Sequence, residues 1–440
     1  MSGERLTQAT PISGFPEWLP EARLIEAHWT DRIRSTFERY GFTPIETPAV
    51  ELLDALLKKG ETSQEVYTLQ RLQAAPEEDL SGKIGLHFDL TVPFARYVAQ
   101  HFNDLNFPFK RYQIQKVWRG ERPQEGRYRE FTQCDIDVIN PDQVPLYFDA
   151  ELPRTVHDIL ADLEIGPFVI EFNNRKVLEG FYRGLGVADP IAAIRIMDKI
   201  DKIGPVEIER LLVREVGLIG DQVKSCLLLA EIHGSDSSVV EAVRALGVQD
   251  DLLDEGLDEL GYVIGELADL PADRIQANLS IARGLDYYTG TVYEGKFLEF
   301  PTYGSICSGG RYENLAGTFI RRSLPGVGIS IGLTRIFAKL LKEGRIPLGP
   351  KCPTTVLVVV QGEDLAGSNR IAAALRGRGI NTEVFHQGAK IGKQLRYASG
   401  KGIPYVWFPP FQKGHPHEVK DMTSGEQAEV SPDSWLPSAS

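Results

Sequence analysis

The sequence predicts a protein of mixed α and β structure, in which a β-rich unit is split by a helical insertion and followed by a smaller α/β domain. Strand-like runs occur on both sides of an acidic stretch that itself has helical periodicity, and strand and helix patterns alternate near the C terminus. The chain has 440 residues, of which 42% are hydrophobic and 25% charged, values typical of several globular domains.

The first part of the β-rich unit, residues 1–175, begins with a predicted helix. Apolar residues recur every three or four positions from about Pro20 to Tyr40, and Gly41 follows as a helix-ending residue. Strand-like runs follow near residues 83–88, 111–119 and 131–138. The polar string ERPQEGRYRE between the last two runs predicts a hairpin with a long loop.

The helical insertion is predicted over residues 176–272. It contains 9 Lys and Arg against 19 Asp and Glu, and segments such as PVEIERLLVREVG have helical spacing. Strand patterns return at IQANLS, TGTVYEGKFLEF and PGVGISIG, so we expect the β-rich unit to resume over residues 273–345. Residues 353–430 alternate strand and helix patterns, which indicates a small α/β domain.

Composition disfavours several classes of protein. No apolar run approaches the roughly 20 residues that a membrane span needs, so we expect no membrane partner. The four cysteines lie far apart without a CxxC pair, which disfavours a disulfide framework and a zinc site and suits a cytoplasmic protein. The net charge is -13, yet residues 110–129 hold seven basic and two acidic residues, which predicts a local anion-binding surface.

Four arginines on or beside the predicted hairpin loop are candidates for phosphate binding. They are Arg119, Arg122, Arg127 and Arg129. Guanidinium groups bind phosphate oxygens through paired hydrogen bonds, and several of them can neutralise a triphosphate. The alternative is a solvated loop in which these arginines pair with nearby acids, as most charge runs of this kind do. Those acids are Glu121, Glu125 and Glu130.

Three further segments contain residues suited to a polar substrate. In IARGLDYYTG, Arg283 is followed by Asp286 and by two tyrosines whose hydroxyl groups can orient a ligand, although cross-strand aromatic packing explains the tyrosines equally. In SICSGGRYENL, the glycines either form a turn or admit a ligand close to the main chain. Asp89 lies in the apolar run LHFDLTVPFARY and needs a cation or hydrogen-bond donors; the alternative is a helix cap.

The string GVGISIG matches the G-x-S-x-G pattern of serine hydrolases, with Ser330 as the nucleophile. In a hydrolase, that serine follows a buried strand and stands at the turn into a helix. Ser330 instead lies inside an alternating apolar strand pattern. We therefore keep the hydrolase only as an alternative.

Taken in order, these segments resemble the histidyl-tRNA synthetases, a family of class II aminoacyl-tRNA synthetases. TPIETPAVEL resembles class II motif 1, RGERPQEGRYREFTQCDID motif 2 and GVGISIGLTRI motif 3, while RGLDYYTG and SGGRYENL resemble two signatures of the histidine enzymes. The resemblance covers nearly the whole chain. It implies an α+β fold with an antiparallel catalytic sheet and helices, a helical insertion, and a C-terminal α/β anticodon-binding domain.

The resemblance also implies individual roles. Arg119 would contact the carboxylate of histidine and the α-phosphate of ATP, and Arg283 would stabilise the reacting phosphorus, so these two residues would be catalytic. With both arginines, the histidine site would comprise Asp89, Leu90, Thr91, Gln133, Asp137, Tyr287, Tyr288 and Tyr312. The ATP site would comprise Arg119, Arg127, Phe131 and Arg335.

Within these sites the resemblance implies a division of labour. The amino group of histidine would be held by Asp89, Thr91 and Gln133, while Asp137 and Tyr288 would face its imidazole. Phe131 and Arg335 would lie on the two faces of adenine. Two positions differ from the commonest pattern of the family. LHFDLT, which contains Asp89, stands where many members have an LRPEGT-like string, and Asp137 stands where glutamate is common. The side chains of Asp89 and Asp137 are therefore one methylene shorter than the glutamates found there in other members.

The resemblance predicts a homodimeric, cytoplasmic histidine–tRNA ligase that uses ATP and Mg²⁺, without zinc or another protein-bound metal, and acts on tRNA(His). Candidate RNA contacts, which a solvated helix face explains about equally, are Lys390, Lys393, Arg396 and Lys401. A second alternative is the synthetase-like regulatory subunit of ATP phosphoribosyltransferase, which binds histidine without charging tRNA. Such proteins resemble a catalytic core that has eroded signatures and lacks the C-terminal domain. This chain retains both the signatures and the C-terminal domain.

Overall fold

The structure, a computed structural model, describes residues 8–57, 65–70, 83–284, 287–314, 316–317, 319–410, 412 and 414–438. Asp286, considered above beside Arg283, lies outside the described residues. Within the described part, contacts divide the chain into two compact units. The larger unit comprises Thr30–Glu343 and the segment before Glu17, and the smaller comprises Glu17–Trp29 and the chain from Gly344 onward.

A large, mostly antiparallel sheet forms the larger unit. The strands before Gly344 are β1 (Thr43–Pro44), β2 (Val50–Leu52), β3 (Thr68–Leu69), β4 (Ile84–Leu86), β5 (Phe109–Trp118), β6 (Glu130–Ile139), β7 (Phe168–Asn174), β8 (His233–Gly234), β9 (Ile275–Asn278), β10 (Thr291–Phe297), β11 (Ser305–Tyr312) and β12 (Gly326–Gly332). Among the described residues, nine of them form one sheet in the order β1-β5-β6-β12-β11-β10-β7-β9-β8. The β1–β5 and β7–β9 pairs are parallel, and β2, β4 and β3 form a separate antiparallel sheet.

Helices connect these strands. Those that begin before Gly344 are α1 (Pro20–Arg39), α2 (Leu53–Leu57), α3 (Thr91–His101), α4 (Tyr147–Asp162), α5 (Arg175–Gly184), α6 (Pro190–Met197), α7 (Ile200–Ile203), α8 (Pro205–Leu211), α9 (Gly220–Glu231), α10 (Ser238–Ala245), α11 (Asp251–Glu266) and α12 (Leu333–Lys342). In the part of the chain that the structure describes, no helix has both the length and the apolar character that a membrane span requires.

The predicted hairpin is confirmed. Strands β5 and β6 pair in an unbroken register, from Phe109 opposite Ile139 to Trp118 opposite Glu130. At the tip of the intervening loop, Gly126 has a φ of 74°, a left-handed conformation that glycine adopts without steric cost. The long loop therefore projects from two firmly paired strands.

One row of directly opposed residues across the large sheet is polar. Directly opposed residues present their side chains on the same face of a sheet. In strand order β5, β6, β12, β11, β10, β7 and β9, this polar row is Gln113, Asp135, Ser330, Ser308, Glu294, Glu171 and Gln276. Burying a polar group costs free energy unless the group has a hydrogen-bond partner. This polar face of the sheet therefore favours a binding site.

Helices α5 to α11 lie between β7 and β9 in the chain. Two glycines allow α5 and α11 to pack closely, because a Cβ on Gly180 would lie 2.2 Å from the Leu253 nitrogen and one on Gly256 2.5 Å from the Val177 nitrogen. Such close approach of two helices is possible only where side chains are absent.

The smaller unit has its own five-stranded sheet among the described residues, in the order β14-β13-β15-β16-β17. Its elements are β13 (Val356–Val358), α13 (Leu365–Gly377), β14 (Thr382–Val384), α14 (Ile391–Lys401), β15 (Tyr405–Phe408), β16 (His417–Asp421) and β17 (Gln427–Val430). Strand β13 is parallel to β14 and β15, and the last two strands form an antiparallel hairpin. Together, the two units confirm the predicted α+β class.

Candidate active site

A cleft of about 510 Å³ is lined by the β5–β6 hairpin, β11, β12 and the start of α12. Among the described residues, its arginines are Arg119, Arg122, Arg127, Arg283 and Arg335. We call this cavity the arginine cleft. Positive charge concentrated in a cleft attracts anions, so the cavity favours a ligand with several negative charges.

Arg119 follows β5 directly and is fixed by its neighbours. Its backbone N–H donates to the carbonyl oxygen of Arg129 at 2.9 Å, and its Nε donates to the carbonyl oxygen of Phe88 at 3.1 Å. Its guanidinium carbon lies 5.2 Å from the centre of the Phe131 ring. A guanidinium has five N–H donors, so an anchor through Nε leaves the donors of the two terminal nitrogens for a ligand.

The acids of the hairpin loop mostly pair with lysines rather than with the loop arginines. Glu125 lies 3.2 and 3.1 Å from two lysines of α12, and Glu130 lies 2.5 Å from a lysine of β5. Arg127 lies 3.4 Å from Glu121, but 57% of its side chain is exposed, and such surface pairs are weak. Within the described residues, the alternative of a self-neutralised loop therefore applies to the Arg127–Glu121 pair alone.

Arg335 and Phe131 bring a cation and an aromatic ring to the cleft. The Nη2 atom of Arg335 donates to the carbonyl oxygen of Tyr303, and the Tyr303 hydroxyl donates to the carbonyl oxygen of Arg335 at 2.8 Å. Burial lowers the pKa of Arg335, although an arginine remains charged at neutral pH. A flat cation and a ring in one cavity suit a planar aromatic ligand.

Asp137 of β6 has two buried partners. Its Oδ2 lies 2.5 Å from Nη2 of Arg111, and its Oδ1 accepts a hydrogen bond from the Tyr312 hydroxyl at 3.0 Å. Arg111 is directly opposite Asp137 on β5. Gly328, opposite on β12, leaves room for the carboxylate, because a Cβ there would lie 2.0 Å from Oδ1. The register of three strands thus creates this buried ion pair.

Three tyrosines pack beside Asp137. The ring centre of Tyr287 lies 5.2 Å from that of Tyr288 and 5.4 Å from that of Tyr312. Burial raises the pKa of all three hydroxyls, and the charge of Asp137 raises each of them further. The hydroxyls are therefore protonated hydrogen-bond donors at neutral pH. The sequence left aromatic packing as an alternative role for Tyr287 and Tyr288. Their rings do pack together, and their hydroxyl groups remain available as hydrogen-bond donors inside the cluster.

Asp89, Leu90 and Thr91 lie at the N terminus of α3. Asp89 Oδ1 accepts hydrogen bonds from the backbone N–H groups of Thr91 at 3.2 Å and Val92 at 3.0 Å, so it does act as a helix cap. Helix α3 shares one hydrophobic cluster with Tyr287, Tyr288 and Tyr312, so its N terminus brings Asp89 toward the tyrosines. The Leu90 side chain is fully buried.

Gln133 and Ser330 connect the cleft with the buried cluster. Both line the cleft, and Gln133 Nε2 donates to Ser330 Oγ at 2.5 Å. Two nearby acceptors, Gln133 Oε1 and Asp135 Oδ1, are buried without a hydrogen-bond partner among the described residues. Burial raises the pKa of Asp135 to about 7. Buried acceptors of this kind favour a ligand that donates hydrogen bonds.

Ser330 does not occupy a nucleophile elbow. It lies in the middle of β12, with Asp135 opposite on β6 and Ser308 opposite on β11. The strand continues beyond it to Gly332 before α12 begins. A hydrolase serine needs a sharp strand-to-helix turn, so the geometry does not support the hydrolase alternative.

The structure brings the predicted site residues together in two groups. The arginine cleft contains Arg119, Arg127, Phe131, Gln133, Arg283 and Arg335. The residues that do not line the cleft are Asp89, Leu90, Thr91, Asp137, Tyr287, Tyr288 and Tyr312. Gln133 belongs to the cleft and lies two residues from Asp135 and four from Asp137 on the same face of β6, so the two groups adjoin.

Three charged residues of the site were not predicted. Arg111 pairs with Asp137, Asp135 lies between Gln133 and Asp137, and Glu294 pairs with Arg283. Each is at most 5% exposed. The available signal was the register of the predicted hairpin, because pairing Phe109 with Ile139 places Arg111 opposite Asp137. The sequence contains no comparable local signal for Glu294.

The basic residues of the smaller unit differ in their surroundings. Lys401 Nζ lies 2.8 Å from Glu383 Oε2, so its charge is partly satisfied within the unit. Lys390, Lys393 and Arg396 are exposed at the start of α14 and along it. These three are therefore the more accessible candidates for contact with an anion.

Comparisons with known proteins agree with this geometry. A sequence model described as Histidyl-tRNA synthetase matches residues 14–336, and one described as Anticodon binding domain matches residues 354–437. The Histidine–tRNA ligase of Thermobifida fusca is 65% identical over 436 residues, which cover 99% of this chain and 100% of that protein. The Histidine–tRNA ligase of Cutibacterium acnes is 50% identical, with 98% and 97% covered.

A solved structure matches as well. A crystal structure of histidyl-tRNA synthetase from a Nostoc species is 39% identical, has a TM-score of 0.87 and covers 98% of both chains. The first sequence model spans more than half of this chain, and the relatives match it nearly from end to end. Full-length similarity to ligases does not favour the regulatory-subunit alternative. The chain belongs to the histidyl-tRNA synthetase family.

Proposed function

We propose that this chain activates L-histidine with ATP, forming histidyl-adenylate and pyrophosphate, and then transfers the histidyl group to the 3′ end of tRNA(His). The observation that carries the proposal is that the arginine cleft adjoins the buried Asp137 cluster. The arginine cleft suits a polyanion, and the buried polar cluster beside it suits a small polar ring. A reaction that joins histidine to a nucleotide needs both, side by side.

Arg119 and Arg283 would act where the two substrates meet. The carboxylate of histidine and the α-phosphate of ATP repel each other, so a cation that contacts both lowers the barrier to their approach. Arg119, anchored through Nε, would bridge the carboxylate and the α-phosphate with its terminal nitrogens. Arg283, on the same cleft, would stabilise the charge that develops on phosphorus.

The buried cluster would recognise the imidazole ring and the amino group. Imidazole has one donor and one acceptor, which match the carboxylate of Asp137 and the hydroxyl of Tyr288. The buried Oε1 of Gln133 would accept from the ammonium group, together with Asp89 and Thr91. A site with buried polar groups strongly rejects ligands that leave those groups unpaired.

Adenine would lie between Phe131 and Arg335, with Arg127 on the phosphates. Mg²⁺ would enter with ATP and neutralise phosphate charge. Glu65 and Glu121 line the cleft, and the charge of Glu121 adds to the effect of burial in raising the pKa of Glu65. Both carboxylates would face the Mg²⁺ that ATP carries, rather than forming a separate metal site of the protein. We do not assign zinc a role.

The domains would divide the work of binding tRNA. The catalytic core would comprise residues 1–175 and 273–345, with the acidic insertion at 176–272 between them. Residues 353–430 would bind the anticodon, and the exposed Lys390, Lys393 and Arg396 fit contact with phosphates.

The protein would act in the cytoplasm as a homodimer. The separate small sheet presents three apolar side chains in register, Leu52, Ile84 and Leu69, which are 51%, 38% and 39% exposed. Clustered exposed apolar side chains are typical of a protein interface. Sedimentation of the full chain would give twice its mass of 49.0 kDa if this proposal is correct.

The test of the function is histidine-dependent exchange of labelled pyrophosphate into ATP, followed by charging of tRNA(His). We expect exchange only when L-histidine, ATP and Mg²⁺ are all present, and charged tRNA at the 3′ end. Histidine binding without exchange would instead identify a regulatory subunit. Ester hydrolysis lost in Ser330→Ala, with no need for ATP, would identify a hydrolase.

A further inference from the structure

Arg283 reaches the arginine cleft from a segment that has neither helix nor strand structure. It lies between β9 and β10, directly before Gly284, whose φ is 66°. Its side chain is 42% exposed. A long side chain loses much conformational freedom when it is ordered, and connecting segments are more mobile than strands. A guanidinium presented in this way needs an anchor on a more rigid part of the fold.

Glu294 supplies an anchor of this kind. The carboxylate of Glu294 forms an ion pair with Nη2 of Arg283, and its side chain is only 5% exposed. It belongs to β10, which is paired along its length with β7 on one side and β11 on the other. Its direct partner on β11 is Ser308, which lines the cleft. The anchor is therefore central in the sheet and beside the cavity.

The carboxylate of Glu294 is itself held in position. The Ser305 hydroxyl donates a hydrogen bond to its Oε1, and Nζ of Lys296 lies 3.6 Å from its Oε2. Lys296 is in turn 3.0 Å from Oε2 of Glu171, the next acid along the polar row. A carboxylate with partners on both oxygens has little freedom to follow a moving guanidinium, so it fixes where that guanidinium lies.

We propose that Glu294 is a positioning residue, which holds the Arg283 guanidinium at the wall of the cleft where the α-phosphate of ATP would bind. This inference rests on the proposed function, because that function assigns Arg283 to the reacting phosphorus. The ion pair occupies Nη2, and the planar guanidinium keeps further N–H donors for the phosphate. The carboxylate sets the orientation of the arginine and does not touch the substrate.

The main test is Glu294→Gln, which keeps the size of the side chain and removes its charge. The rate constant kcat for pyrophosphate exchange should fall about 10- to 100-fold, because a small displacement of a catalytic group is costly. The KM for histidine should change by less than about threefold, because a group acting on the transition state contributes little to substrate binding. An unchanged kcat would overturn the inference.

Glu171→Gln is the matched control. Glu171 is buried to a similar degree, stands directly opposite Glu294 on β7 and shares Lys296 with it. Among the described residues its other partners are Gln276 and Asn278 rather than Arg283. This variant should keep kcat close to that of the unchanged protein. An equal loss of kcat in both variants would show that the effect comes from burial of any acid on this face, and would overturn the inference.

A double-substitution cycle tests whether Glu294 acts through Arg283. In an Arg283→Ala background, Glu294→Gln should lower kcat no further, because the group that it positions is absent. Two losses that multiply would overturn the inference. Recovery of kcat in Glu294→Gln at high Mg²⁺ would also overturn the inference, because it would identify the Glu294 carboxylate as a metal ligand.

The last measurement is independent of activity. Phenylglyoxal modifies exposed arginines, and mass spectrometry gives its rate at Arg283. Release from Glu294 should raise that rate several-fold in Glu294→Gln and leave it unchanged in Glu171→Gln. An unchanged rate of Arg283 modification in Glu294→Gln would overturn the inference, even if the parent protein catalyses pyrophosphate exchange. A raised rate of modification, combined with no pyrophosphate exchange by the parent protein, would contradict the proposed function alone. If Glu294→Gln does not fold, Glu294→Asp, which shortens the anchor, takes its place.

Discussion

Arg111 and Asp137 form an ion pair that is almost completely removed from solvent: Nη2 lies 2.5 Å from Oδ2, and the two side chains are 0% and 7% exposed. Phe94 covers the guanidinium, whose central carbon lies 4.2 Å from the ring centre. Removing one member of a buried ion pair leaves the other charge buried without a partner. The free-energy cost of that lone charge exceeds the net stabilisation that the intact pair provides. Loss of Arg111 should therefore destabilise the fold more than loss of an exposed ion pair.

Arg111→Met should lower the free energy of unfolding by about 3–5 kcal/mol, because Asp137 then remains buried without its cation. Urea denaturation measures this free energy. Arg154→Met is the control, since Arg154 pairs at 2.6 Å with Asp269, whose side chain is 67% exposed. The control should lose no more than about 1 kcal/mol. Equal losses in the two variants would contradict the prediction.

Asp135 should make stability depend on pH. Burial raises its pKa from 3.8 to about 7, so the folded chain holds this proton more tightly than the unfolded chain does. Its contribution to stability is therefore complete below the unfolded pKa and is lost as the pH rises toward 7. Asp135→Asn removes this dependence.

The measurement for Asp135 is unfolding by urea between pH 4 and pH 8. The free energy of unfolding of Asp135→Asn, relative to the unchanged protein, should rise across this interval by about 1.4 kcal/mol for each unit of pKa shift. Asp273→Asn, at a side chain that is 76% exposed, should give a flat difference. A flat difference for Asp135→Asn as well would show that the buried carboxyl titrates normally.

Gly310→Ala should weaken histidine binding. A Cβ at this position would lie 2.7 Å from the Tyr288 ring and 2.8 Å from the carbonyl oxygen of Thr291, so the ring must move. We expect the KM for histidine to rise and the KM for ATP to stay unchanged. Gly261→Ala is the control, because its Cβ would meet Val240 at 3.6 Å, an ordinary contact. A rise in both KM values would indicate a general disturbance of the sheet.

Phe131→Leu should weaken ATP binding. The variant keeps an apolar side chain but loses the aromatic face, worth about 0.5–1.5 kcal/mol, so the KM for ATP should rise about two- to thirteenfold. Pyrophosphate exchange at varied ATP measures it, and the KM for histidine serves as the internal control. An unchanged KM for ATP would remove Phe131 from the proposed adenine site.

The sequence predicts strands and helices of this protein better than it predicts the contacts between them. The β5–β6 hairpin follows from two strand-like runs around a polar loop, and α1 from its apolar spacing. Register is different, because a shift of one residue turns every side chain to the other face of the sheet. The pairing of Arg111 with Asp137 depends on register, and it was therefore not predicted.

Glu294 shows a second limit. Its partner Arg283 is 11 residues away in a segment without regular structure, and the pair forms only once β10 is placed inside the sheet. Asp89 shows that two interpretations of one residue can be compatible. It caps α3 with Oδ1 and still lies near the tyrosine cluster, because the helix begins beside that cluster.

The central claim is that arginines of one cleft join the carboxylate of histidine to the α-phosphate of ATP. Arg283→Ala tests it most directly, with single-turnover formation of histidyl-adenylate measured beside the Kd for histidine. We predict that the rate falls at least about 100-fold while the Kd changes by less than about tenfold, since the arginine acts on charge that appears in the transition state. A rate that falls only as much as histidine affinity does would contradict the claim.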